Sequence, residues 1–335
     1  MKETYFYKKL SKKKTRCGIC HHFCLLKEGQ IGKCGVRKNI DGVLYLTSYG
    51  KLSAFNVDPI EKKPFFHFLP GSKTLSLAGE GCSFFCKNCQ NWELSQKVKS
   101  GRSASGQEVK PEEVVAIAQQ KNTPSISYTY TDPTSYYEYT LDTMRTAKEA
   151  GLKNCFVSHG FMSSDSAKEA VKCLDAINID IKSFSEDFYR ENCKAKLQPV
   201  LDNTRFFKQS GVWVEITTLL IPTLCDGKKT LTDIANFIYQ ELGRETPWHV
   251  TAFSGKISQH LKDIPDTPEE TLEMAYQIGV EAGLKYVYAG NTTKYQNTYC
   301  SKCDAKVVTR DDFSVKRYDD SGRCYKCNYN LDLCL

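Results

Sequence analysis

The sequence predicts an α/β fold: a parallel sheet forming a partial barrel, preceded by an N-terminal four-cysteine module and followed by a C-terminal metal ribbon of the zinc-ribbon or rubredoxin-like kind. Three observations predict it. Short β-branched or aromatic runs alternate with helix-like stretches through the middle of the chain, and such alternation gives a parallel sheet with right-handed crossovers. Four cysteines cluster near the start (Cys17, Cys20, Cys24, Cys34), and two CxxC pairs stand near the end (Cys300, Cys303, Cys324, Cys327). The expected divisions are residues 1–70 for the four-cysteine module and a β-rich lead-in, 71–295 for the barrel, and 296–335 for the ribbon.

The strands are expected in "TLSLAG", "SISYTY", "NCFVSH", "AINIDIK", "VWVEITTLLI", "WHVTAF" and "KYVYAG", each rich in residues that favour a pleated, buried surface. Between them lie "PEEVVAIAQQ", "YYEYTLDTMRTAKEAG", "DSAKEAVKCL", "LDNTRFFKQSG", "KKTLTDIANFIYQELG" and "TPEETLEMAYQIGVEAG". The last carries a helix start at Thr267, Pro268 and Glu269 and a stop near Gly283. Residues 97–110 (KVKSGRSASGQEVK) are small and polar and read as a flexible surface loop.

With 335 residues, 41% of them apolar, the chain can bury a sizeable core. The net charge of +7 is mild. The Lys-rich opening MKETYFYKKLSKKKTR reads as a solvated, mobile terminus rather than an RNA-binding arm, since no aromatic–arginine nucleic-acid module accompanies it. No apolar run has the length of a signal peptide or a membrane span, so no membrane partner is expected. The sixteen cysteines then point to a reducing cytoplasm, where clustered thiols usually mean metal.

The cysteines fall into three sets. Cys17, Cys20, Cys24 and Cys34 offer four thiolates in a Gly-punctuated loop, which suits zinc or an iron–sulfur cluster. Cys300, Cys303, Cys324 and Cys327 read as a structural zinc (or iron) site that substitutes for a small core. Cys82, Cys86 and Cys89 differ, because no fourth cysteine lies close in sequence. A [4Fe–4S] cluster on three thiolates keeps one iron open to a substrate or cofactor. Cys155, Cys173, Cys225 and Cys334 read as structural thiols.

CxxxCxxC after the first barrel strand resembles the radical S-adenosylmethionine (SAM) superfamily. The stretches "DPIEKKPFFHFLPG", "CQNWELSQ", "YTYTDPTSYYEY", "INIDIKSF", "FYRENC", "VWVEITTLLIP" and "PWHV" more closely resemble the radical SAM member of the AmmeMemoRadiSam system, a relative of pyruvate formate-lyase activating enzymes. The resemblance runs from about Cys17 to Cys327. It implies a partial (β/α)6 radical SAM barrel with its chemistry at the carboxyl ends of the strands. It implies SAM chelated by the open iron, a low-potential electron donor, and cleavage to methionine and a 5′-deoxyadenosyl radical that abstracts hydrogen. AMMECR1-like and Memo-like proteins are the implied partners. The substrate stays open: a glycyl-radical protein, as for the activating enzymes, another protein side chain, a small molecule or RNA. The rival class is an iron–sulfur and zinc scaffold or binding protein that no longer turns SAM over.

The resemblance also marks a SAM pocket. Asp132, before Pro133, stands where relatives carry a Glu-Pro that holds the SAM amine, and His159 stands where they carry an Asn before Gly. Asp180 and Lys182, two apart on one face of a strand, are costly to bury unless they serve each other or a ligand, so they are the first non-cysteine candidates. They would contact the ribose and carboxylate of SAM. Asn88 replaces an aromatic residue before the last cluster cysteine, and Ser254 replaces a His. Cys193 in "YRENC" is a candidate substrate-site thiol or radical relay. Lys62, Lys63 and His67 either line the barrel mouth or belong to a loop that packs Phe65, Phe66 and Phe68 onto the barrel.

Overall fold

Seven parallel strands and one antiparallel edge strand form the central sheet in a computed structural model describing residues 1–335. Strand β1 (Ala54–Pro59) runs antiparallel to β2 (Lys73–Ala78). Then β3 (Ser125–Tyr128), β4 (Lys153–Ser158), β5 (Ala176–Asp180), β6 (Trp213–Leu220), β7 (Trp248–Ala252) and β8 (Val287–Gly290) join in parallel and in chain order. The crossovers carry helices α1 (Pro111–Gln120), α2 (Tyr137–Glu149), α3 (Ser164–Ala170), α4 (Gln198–Gln209), α5 (Lys228–Phe237) and α6 (Glu269–Glu281). Six strand–helix units are therefore followed by a seventh parallel strand, and the sheet is open between β1 and β8. Every residue of β3 is buried, as a strand covered on both faces requires. Strand β1 lies before residue 70 yet is hydrogen-bonded along its whole length into the central sheet.

Helix α6 begins one residue beyond Pro268 and is followed by Gly283 at φ +91°. Thr267 does not cap it. Its hydroxyl donates to the Leu220 carbonyl and accepts the Phe253 amide at 2.8 Å, tying α6 to the ends of β6 and β7.

Two stretches expected to be mobile are built into the structure. The Lys-rich opening forms a hairpin, Tyr7–Leu10 against Lys14–Cys17, turned by Lys12 and Lys13 at φ 58° and 54°. Its strand pairing is satisfied while lysines such as Lys8 and Lys9 face solvent. Residues 97–110 are likewise no free loop: Val98 is buried against Gly35, Arg102 pairs with the buried Glu80 at 2.7 Å, and Gln107–Glu108 pairs with Lys51–Leu52. One apolar side chain and one ion pair are enough to pin a polar segment.

The amino ends of the strands are plugged by residues 64–69. Glu215 on β6 is fully buried and accepts hydrogen bonds from the backbone amides of Phe66, His67 and Phe68, from Trp213 Nε1 at 3.0 Å and from His249 Nε2 at 2.7 Å. His67 is buried against Tyr288, at 2.7 Å from its hydroxyl. The packing alternative thus holds for His67. Lys62 and Lys63 both pair with Asp58 on β1.

The C-terminal ribbon is a three-stranded antiparallel sheet, Thr298–Tyr299, Lys306–Asp311 and Ser314–Arg317. It docks on the plug through Arg310, whose Nη2 donates to the Phe66 carbonyl at 2.7 Å. Its core is little more than Ala305, Val307, Val308 and Leu331 around four cysteine sulfurs lying within 4.8 Å of one another. A single tetrahedral ion needs that closeness. Because so small a core cannot hold itself, Cys324→Ser should abolish metal binding at this set, lower the melting temperature and open the ribbon to proteolysis. Normal metal content and normal melting in that variant would show the site is not structural.

Candidate cofactor site at the carboxyl ends of the strands

The loop carrying Cys82, Cys86 and Cys89 leaves β2 at its carboxyl end, where a parallel sheet places its ligands. Gly81 makes the exit feasible: it sits at φ +97°, and a Cβ there would lie 2.6 Å from the Cys34 carbonyl oxygen. No three of the loop's sulfurs lie within 4.8 Å of one another, so the set is spread too widely for one small ion. The loop is clamped by backbone from two other strand ends. After β5, Tyr189–Cys193 forms a wide helical turn that stops at Lys194 (φ 55°) and presents the carbonyls of Cys193 and Asn192 to the amides of Phe85 and Lys87, at 2.9 and 3.1 Å. After β7, the His260 amide donates to the Lys87 carbonyl at 2.9 Å.

His159 and Asp132 are both buried and both engaged within the protein. The His159 ring stacks on Phe84 at a centroid distance of 3.8 Å. Its Nδ1 accepts the Phe161 amide at 3.2 Å, which leaves Nε2 as the donor to Ser83 Oγ at 3.0 Å. Burial pushes its pKa down to about 4, so the ring is neutral. Both residues it touches in the loop, Ser83 and Phe84, lie between Cys82 and Cys86, which makes His159 a positioning residue for the loop. Asp132 accepts the Thr134 amide at 2.9 Å, the His159 amide at 3.0 Å and the Ser158 hydroxyl at 2.7 Å. Its carboxylate joins the turns after β3 and β4.

Asp180 and Lys182 meet as an ion pair of 3.0 Å at the end of β5. Lys182 is largely buried. Burial alone would depress its pKa, but Asp180 and the thiols of Cys86 and Cys193 outweigh it and hold the ammonium well above the ordinary lysine value. Cys193 is fully buried, and its carbonyl accepts the amide of Phe85, the residue before Cys86. The fold therefore brings a fourth thiol to the loop that sequence spacing did not reveal. Across from Asp180, Thr217 is its register partner on β6, and the Thr217 hydroxyl is buried without a partner. Asn88 bonds Asn192 at 2.8 Å, and Ser254 leads into a short turn after β7.

Sequence reasoning missed Ser83 and Phe84 as the link to His159, and it missed Lys99, a largely buried amine that interacts with thiols of two cysteine sets, Cys82 and Cys34 among them. It also treated the four-cysteine module as an appendage. The module lies on the turns after β3 and β4: Arg37 is buried, pairs with Glu138 at 2.6 Å and donates to the Ser135 carbonyl, and the His21 amide donates to the Phe161 carbonyl. It roofs the strand ends.

These features define a class. Residues 77–238 match the Radical SAM superfamily model, and the chain carries a radical SAM domain with its cysteine loop at the expected strand end. Over its whole length it is 45% identical to the whole of the uncharacterized protein MJ0808 of Methanocaldococcus jannaschii, and it belongs to one family with that protein. It is also 23% identical to the pyruvate formate-lyase-activating enzyme of Clostridium pasteurianum, over 50% of this chain and 70% of that one. Among solved structures, a radical SAM methyltransferase from Sphaerobacter thermophilus aligns with a TM-score of 0.51 at 13% identity, covering 66% of this chain and 67% of that chain. SuiB of Streptococcus suis bound to S-adenosylmethionine also aligns with a TM-score of 0.51, at 11% identity, covering 68% and 55%. Both support the fold. No helix is long and apolar enough to cross a membrane.

Proposed function

We propose that this chain is a radical SAM enzyme of the AmmeMemoRadiSam type, working in a reducing cytoplasm, that holds a [4Fe–4S] cluster on Cys82, Cys86 and Cys89 and cleaves SAM reductively. The observation that carries the reading is the thiol arrangement at the strand ends. Three sulfurs are spread by a loop clamped through its backbone. The fourth, Cys193, belongs to the turn after β5 that clamps the loop through its backbone, and it serves no iron in this reading. Three ligands and an open position remain. The Asp180–Lys182 pair and the orphaned Thr217 hydroxyl supply polar contacts that a SAM ribose and carboxylate would satisfy.

A cluster and SAM bound here would supply one-electron reductive cleavage of the SAM carbon–sulfur bond, giving methionine and a 5′-deoxyadenosyl radical able to take a hydrogen atom from a substrate. The protein's own contribution is positional. The backbone carbonyls of Asn192 and Cys193 and the His260 amide fix the loop, neutral His159 stacks on its Phe84, and Lys182 sets a positive charge against the cysteine sulfurs. The partners this reading takes are the electron donor and AMMECR1-like and Memo-like proteins, with a glycyl-radical activation as the model for the substrate step. Anaerobic protein reconstituted with iron and sulfide, then given dithionite and SAM, should release 5′-deoxyadenosine. None from a fully loaded cluster would turn the reading over to the scaffold class.

The same assay ranks the pocket. Losing a charge-assisted contact costs about 1.5–3 kcal/mol, so Asp180→Ala and Lys182→Ala should each weaken SAM binding roughly ten- to a hundredfold. His159→Ala should act differently, by loosening Ser83 and Phe84: slower cluster retention with a smaller change in SAM affinity. If His159→Ala shows the greatest loss of SAM affinity, the ranking is wrong.

A further inference from the structure

We propose that Cys17, Cys20, Cys24 and Cys34 hold a second, closed iron–sulfur cluster packed directly against the loop of the first. The two four-cysteine sets differ in spacing. With metal–sulfur bonds of about 2.3 Å, a tetrahedral zinc site puts neighbouring sulfurs about 3.8 Å apart. The C-terminal set meets that requirement, with Cys300–Cys327 and Cys303–Cys324 at 3.6 Å and all four sulfurs within 4.8 Å. In the N-terminal set no three sulfurs come within 4.8 Å of one another, yet all four line one largely enclosed cavity. Their sulfurs are spread more widely than the four-sulfur set of the ribbon. A four-iron cluster, which takes one thiolate at each corner iron, fits such a spread.

The cavity wall also fixes where this cluster lies. Ser83, the neighbour of Cys82, lines it. The Cys34 carbonyl touches Gly81 so closely that a Cβ at Gly81 would sit 2.6 Å from it. The His22 ring bonds the Ser83 carbonyl at 2.9 Å, and Lys99 packs on Gly35, the neighbour of Cys34, while its ammonium donates to the Phe84 carbonyl. The two clusters are thus separated by little more than the Cys82–Ser83 backbone, close enough to exchange single electrons. This nearness rests on the radical-cluster reading above, whereas the iron–sulfur content of the N-terminal site does not.

The test counts acid-labile sulfide, which zinc sites lack. Wild-type chain reconstituted anaerobically with iron and sulfide should hold about eight sulfides, two four-iron clusters' worth, rather than about four. The Cys82→Ala/Cys86→Ala/Cys89→Ala variant should keep about four, with a reduced-state EPR signal that SAM does not alter. Adding Cys20→Ala and Cys24→Ala should remove them and leave the C-terminal ion. About four sulfides in the wild type and none in the triple variant would overturn the proposal, whether or not the wild type forms 5′-deoxyadenosine. Proximity is read separately: the fully reduced wild type should show an EPR spectrum broadened by spin–spin coupling. A spectrum equal to the sum of the two single-cluster variants would refute the contact.

Discussion

A chain with Cys82, Cys86 and Cys89 all replaced by alanine should form no 5′-deoxyadenosine and hold about four fewer irons than the wild type, while its C-terminal ion stays in place. The loss should be complete because no other group takes the role: Cys193 sits on the turn after β5 that clamps the loop by its carbonyl, and the four N-terminal thiols surround a cavity of their own. The fold should survive, since the loop is held by the Phe85, Lys87 and His260 amides and by Phe84 packing under His159, none of which uses a thiol. Cys193→Ser separates the two thiol roles. It should keep the iron, because Cys193 is not expected to be a ligand. Unchanged iron content in the triple variant would sink the cluster assignment, and loss of all cluster iron in Cys193→Ser would close the position proposed for SAM.

Much of this arrangement was legible because it rests on local signals. The apolar runs from Lys73 to Gly290 became parallel strands in chain order, and the six strand–helix units match the alternation from which they were read. Asp180 and Lys182 were found by their charge in an apolar strand, and they do form an ion pair at its end. What stayed hidden depends on contacts between distant segments. Cys193 stands 104 positions beyond Cys89, and only the return of the chain after β5 brings it to the loop. Asp132 reads in the sequence as a carboxylate aimed inward, whereas the donors it meets in the turn after β4, Ser158 and His159, were not legible there. The opening hairpin and residues 97–110 were misjudged because polar composition reports solvent exposure of side chains, whereas strand pairing and a single buried Val98 report backbone placement. Glu215 was missed for a different reason. The same signal that marked Asp180 was present, a charge between Val214 and Ile216 in "VWVEITTLLI", with its partner His249 in "PWHV".

Replacing that glutamate should therefore cause a large loss of stability. Glu215→Ala removes the acceptor shared by the Phe66, His67 and Phe68 amides, Trp213 Nε1 and His249 Nε2, and leaves those donors buried without water. Breaking a buried, hydrogen-bonded charge network by deleting one member costs about 3–5 kcal/mol, against less than about 1 kcal/mol for the exposed Glu191 beside Arg190 as a control. Burial pushes the Glu215 carboxyl up, but the His249 hydrogen bond and the backbone amides outweigh it and hold it below the usual range. A depressed folded-state value means that the contribution is fully present above the ordinary glutamate pKa of about 4.3 and is lost as pH falls through the lowered value. The damage should spread to the ribbon, because Arg310 docks on the Phe66 carbonyl that the glutamate holds in place. Glu215→Ala should melt several degrees below the wild type at neutral pH and be cut more readily by protease near residue 296, with the gap to the wild type narrowing in acid. Equal melting at neutral pH would show that the plug is held by its phenylalanines alone.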